Sequence, residues 1–147
     1  MKRIARRRVS EFERILVPVD FSDQSLDALR TARMLAGDDA SRLCVLHVAE
    51  PLHVDWHADT TAIQKEAHKV ARDVLAKFVR AEFGDAGPKT HFVTGKPVDV
   101  IVKQATTMKA DLIVLGTQGR TGIPRALIGS VAERVVRHAP CPVLVVR

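Results

Sequence analysis

The chain has little of what marks several common classes. Its two cysteines, Cys44 and Cys141, lie far apart in separate apolar runs and belong to no C-x-x-C or His-rich pattern, which argues against a disulfide framework or a zinc site and for reduced core thiols. No apolar run approaches the roughly 18 residues of a membrane span, and the basic N-terminus is not followed by the apolar stretch of a secretory signal. The expectation is a soluble cytoplasmic protein. Also absent are a Walker A sequence, a G-x-G-x-x-G after the first strand and an H-E-x-x-H helix. The third predicted strand ends in Thr94-Gly95, so the phosphorylatable Asp of a response regulator is missing.

What is present fits one domain. The 147 residues are 46% apolar, enough for a single core. The net charge of +6 is concentrated at the start, where Lys2, Arg3, Arg6, Arg7, Arg8 and Arg14 face only Glu11 and Glu13. Residues 1–13 read as a basic extension and 14–147 as the domain. Such a tail can grip nucleic acid or an anionic membrane, but no aromatic platform accompanies it, and a solvated tail is the simpler reading.

Short apolar runs alternate with segments of helical spacing. Strands are expected over Arg14–Val19, Leu43–Val48, Thr90–Thr94, Asp111–Leu115 and Pro142–Arg147. Helices are expected from Ser22 to Gly37 with Leu26, Leu29, Met34 and Leu35 in period, and from about Thr60 to Phe83 with Ile63, Ala67, Val70, Val74 and Phe78 on one face. Two more follow, from Pro97 through Ala105 and from Val131 to His138, the last with Val131, Val135 and Val136 inward. This alternation argues an α/β fold with an open five-stranded parallel sheet covered on both faces. Right-handed crossovers favour the doubly wound, Rossmann-like order 3-2-1-4-5. Strands one and four then lie side by side, and Asp20 and Gly116 flank the crevice where the winding reverses.

The segment after strand four, GTQGRTGIPRALIGS from Gly116 to Ser130, enters that crevice. Gly116, Gly119 and Gly122 permit sharp turns or close approach, and Gly129-Ser130 opens a helix whose free amides and dipole attract anions. Arg120 and Arg125 stand nearby as cations. Spacing alone leaves two readings, a phosphate cradle or a glycine-containing surface loop before a helix.

Gly116, Gly119, Gly129 and Ser130 match every defined position of G-x2-G-x9-G-[ST], the signature of the ATP-binding branch of the universal stress protein family, which the chain resembles. The similarity extends to Pro18–Ser22, Leu46–Val48, Gly95–Pro97 and Pro140–Val146. It implies an adenine nucleotide alpha hydrolase-like fold with ATP across the crevice. Gly116, Gly119, Gly129, Ser130 and Val131 would surround ribose and phosphates, Val48 and Leu115 would border the base, and Asp20 would serve the nucleoside and a Mg2+ or Mn2+ ion through water; Arg120, read from the loop itself, is a cation placed to neutralise the polyphosphate. It also implies a homodimer through the final strand, 143–147, whose apolar edge would otherwise be open. Gln118 stands where relatives often have His, which matters little if phosphate contacts are mainly through the backbone.

The implied role is a nucleotide-responsive sensor or adaptor with a protein partner. Slow ATP hydrolysis is the alternative, although no residue is committed as a base, and nucleic-acid binding through the tail ranks third. His53, Asp55, His57 and Asp59 have metal-ligand chemistry but no recognised ligand pattern, and Glu50 to Asp59 reads as a lid or rim. His47 reads as a core or contact residue rather than a catalyst, since no Ser or Cys nucleophile is placed beside it.

Overall fold

A computed structural model describes residues 12–51, 61–117 and 128–147. Five parallel strands, β1 (Ile15–Pro18), β2 (Leu43–Ala49), β3 (Lys89–Thr94), β4 (Leu112–Gly116) and β5 (Val143–Val146), alternate with α1 (Asp23–Leu35), α2 (Thr61–Phe83), α3 (Pro97–Thr107) and α4 (Ser130–His138). The sheet order is β3-β2-β1-β4-β5, the doubly wound arrangement expected from the alternation.

Strand side chains alternate between two cores. Ile15, Val17, Val45 and Val114 pack with Leu29 of α1 and with Leu75 and Val79 of α2, while Leu16, Leu46, Ile113 and Leu115 pack with Ile101 of α3 and Val135 of α4. Each fully buried Val, Leu or Ile contributes about 1.5–3 kcal/mol of transfer free energy. The central strands are buried on both faces, which explains their unbroken apolar sequence.

Local chemistry sets the helix ends. Ser22 caps α1, its hydroxyl accepting from the Ser25 amide at 3.2 Å. Gly37 leaves the same helix at φ 64°, its N–H reaching the Met34 carbonyl while the Asp38 N–H reaches that of Arg33. Pro97 opens α3, where a missing N–H costs no helical bond. Arg30 of α1 forks onto the Glu82 carboxylate of α2, tying the two helices on that face.

Three helix faces differ from the periodicity reading. In α1 the buried positions are Ser25, Ala28, Leu29 and Ala32, while Met34 is 71% exposed. Small residues are needed there because α1 lies against the end of β4: a Cβ on Gly116 would stand 2.9 Å from the Gln24 backbone. In α2 the core contacts come from Leu75 and Val79, and Ile63, Val70 and Val74 face outward. In α4, Val135 is buried as expected, but its buried neighbour is Ala132, with Val131 and Val136 exposed. Weighting by large side chains picks the wrong stripe where backbones approach closely.

Cys44 is buried and Cys141 half-buried, both as free thiols. Burial raises both thiols above their ordinary value, so they stay protonated at neutral pH.

Candidate nucleotide site

The carboxyl ends of β1 and β4 carry two different structures. After β1 the chain turns through Asp20-Phe21-Ser22. The Asp20 Oδ1 accepts from the Ser22 amide at 3.0 Å and from the Ser22 hydroxyl, and the Ser25 hydroxyl donates to the Ser22 carbonyl at 2.9 Å. Phe21 between them holds φ 67°, a left-handed conformation uncommon for a bulky side chain. Its ring stacks on His47 with centroids 4.3 Å apart and meets Phe78 edge-on at 5.6 Å. The His47 Nδ1 lies 2.8 Å from the Val19 carbonyl. Because that carbonyl can only accept, Nδ1 carries the proton. This agrees with a packing role for His47.

After β4, Thr117 is buried; its N–H donates to the Val146 carbonyl at 2.8 Å, and its own carbonyl accepts from the Gly129 N–H at 2.6 Å. Thr117 and Gly129 are thereby held together. Gly129 is the N-cap of α4 and supplies no side-chain acceptor. The first-turn amides of Ser130, Val131 and Ala132 have no intrahelical acceptors and sit at the positive end of the helix dipole. Gln118 to Leu127, with Gly119 and Arg120, lie outside the described residues, as do residues 52–60 with the His53–Asp59 cluster.

Between these two structures opens a cavity of about 650 Å³, of the size that takes a cofactor-sized ligand. Asp20, Val48, Leu115, Gly116, Gly129, Ser130 and Val131, seven residues singled out from sequence, all line it. The lining combines the apolar Leu46, Val48, Ile101 and Leu115, suited to a flat ring, with the polar Asp20, Thr117 and Ser130. Sequence reasoning did not assign Thr117, Pro97 or Ile101 to the site, nor His68, Ala67 and Ala71 of α2. Pro97, opening a helix after β3, carried a usable signal because sheet topology puts that helix end at the same edge. The α2 contribution depends on how the helix settles over the sheet and has no local signature.

The described donors suit a nucleotide better than a metal held by protein alone. No group of three or more His, Cys, Asp or Glu side chains converges among the described residues. Asp20 offers one carboxylate, with Oδ1 already accepting from Ser22. That set fits a divalent ion carried mainly by phosphate oxygens and water, as Mg2+ commonly is.

Fold and crevice together define a doubly wound α/β protein with an anion-receptive helix end at its switch point. The universal stress protein family model matches residues 11–147, and the chain belongs to that family. Universal stress protein MJ0531 of Methanocaldococcus jannaschii is 35% identical, covering 98% of this chain and 87% of the relative. Among solved structures, UspA of Lactobacillus plantarum superposes with a TM-score of 0.77 at 31% identity, over 92% of this chain and 98% of its own. A universal stress protein in complex with cAMP superposes with a TM-score of 0.63 at 27% identity, over 92% of this chain and 97% of its own.

Proposed function

We propose that this chain is an adenine-nucleotide-binding universal stress protein that holds ATP in the crevice and acts as a nucleotide-responsive sensor or adaptor. The observation that carries this reading is convergence: Val48, Leu115, Gly116, Gly129, Ser130 and Val131 come from three separate parts of the chain and line one cavity. Adenine lies against the Val48 and Leu115 side. The triphosphate lies at the α4 amides, with Gly119 and Arg120 completing its contacts, and Asp20 faces the ribose or a phosphate-borne Mg2+. The cAMP-bound relative supports an adenine, ribose and phosphate ligand for this fold.

Among the described residues β5 is paired only on its β4 side, with Leu144 37% exposed, which supports homodimerisation through that edge. No helix among the described residues is long and apolar enough to cross a membrane.

Calorimetric titration of Mg-ATP into nucleotide-stripped protein tests the reading, with AMP and cAMP as comparison ligands. Wild type binds. Asp20→Ala weakens binding about tenfold through loss of a charge-assisted contact, and Gly119→Asp weakens it further by placing a carboxylate in the phosphate cradle. A stripped wild type that binds none of the three nucleotides overturns the proposal. Steady phosphate release that disappears in Asp20→Ala would make the protein a slow hydrolase rather than a nucleotide-retaining adaptor.

A further inference from the structure

The cavity at the crevice accounts for only one side of α2. Beside it Ile63, Ala67, Val70 and Val74 recur at helical spacing in a single exposed stripe, with Ala67 at the border shared with the cavity. Ile63 is 65% and Val70 53% accessible, unusual for β-branched residues on a helix whose core contacts are Leu75 and Val79. With Phe21, the stripe borders an apolar groove of about 610 Å³. A row of exposed apolar side chains of this extent marks a contact surface.

The charges beside the stripe indicate what covers it. Glu66, Lys69, Asp73 and Lys77 lie on its outer flank, are exposed, and form no ion pair among the described residues. Their order is self-complementary. A twofold axis crossing α2 near residues 71 and 72 sets Glu66 of one copy opposite Lys77 of the other, and Lys69 opposite Asp73. The same axis sets Val70 beside Val74. A single antiparallel register therefore satisfies the apolar stripe and both oppositely charged pairs, as an isologous contact requires.

We propose that α2 is a self-association surface: two copies of this chain pack antiparallel along Ile63, Ala67, Val70 and Val74, with Glu66 of each facing Lys77 of the other. The apolar seam supplies the affinity, and the exposed ion pairs, individually weak, select register and orientation. The contact lies far from β5, because α2 packs on β2 and β3 at the opposite side of the sheet. It is separate from pairing through β5, and of the four stripe residues Ala67 alone also lines the nucleotide cavity. One helix face is smaller than a standard permanent interface, so association is concentration-dependent, with a dissociation constant on the order of micromolar or weaker.

Sedimentation velocity from about 1 to about 500 µM tests this, in a Leu144→Lys background that blocks the β5 edge. The expected result is a monomer–dimer equilibrium that Val70→Glu abolishes while leaving the circular-dichroism melt in place. Glu66→Lys weakens association roughly tenfold by setting like charges opposite each other. The charge swap Glu66→Lys/Lys77→Glu restores it to within about threefold, as only a direct pair can. A Leu144→Lys protein that stays monomeric across the range overturns the proposal. So does association that is indifferent to Val70→Glu, or a charge swap that fails to rescue.

Discussion

The two walls of the crevice solve the same topological problem in opposite ways. At the end of β1, polar groups close on one another: Asp20 accepts from Ser22, and Ser22 accepts from Ser25 at the start of α1. At the end of β4, a backbone hydrogen bond joins Thr117 to Gly129, and α4 then begins without a side-chain cap. One wall is a self-contained turn, and the other leaves first-turn backbone donors without a partner among the described residues. A helix start that needs no ligand resembles the first, and the second is the form an anion site takes.

The largest expected effect comes from forcing the walls apart. Gly116→Val places a side chain against the Gln24 backbone, where even a Cβ would lie at 2.9 Å. It should cost about 3 kcal/mol and lower Tm by roughly 6–12 °C, as read by thermal melting. An unchanged Tm would mean that the close packing of α1 on β4 is not required.

Charge at the open wall should separate stability from binding. Ser130→Asp puts a carboxylate in the first turn of α4, favourable to the helix dipole by about 0.3–1 kcal/mol, yet repels an incoming phosphate. Melting should hold or rise slightly while calorimetric affinity for Mg-ATP falls about tenfold. Equal affinity would remove the α4 terminus from the binding site.

At the closed wall, Ser22→Ala removes the cap of α1 and a hydrogen bond to Asp20, for a loss of about 1 kcal/mol in denaturant unfolding. A loss near zero would mean that water replaces the cap without cost. A comparable effect belongs to Phe21→Gly. Glycine accepts φ 67° without strain, which offsets part of the loss of the His47 stack and the Phe78 edge contact, so the net cost should be about 1 kcal/mol. A much larger loss would show that relief of the strained backbone offsets little.

Much of this arrangement was legible before the structure. Five apolar runs separated by helical segments imply the sheet order, and that order alone brings Asp20 and Gly116 to one crevice. Ser22, Pro97 and Gly129 mark helix starts through their own chemistry. The buried faces were less legible, because Ala28, Ala32 and Ala132 carry little hydrophobic weight yet occupy the sites where backbones come closest. The apolar residues that stood out in α2, Ile63, Val70 and Val74, are turned away from the core, so periodicity found the stripe but not its partner. Thr117 escaped notice because its burial follows from bonds to Val146 and Gly129, both distant in sequence.

Nucleotide binding at the open wall is tested most directly by following backbone amide resonances during titration of Mg-ATP into nucleotide-stripped protein. If the triphosphate sits on α4, the amides of Ser130, Val131 and Ala132 shift most, together with Val48 on the base side, and the outer residues of α2 stay in place. Shifts confined to other surfaces, or none at saturating nucleotide, would contradict the assignment of the crevice as the binding site.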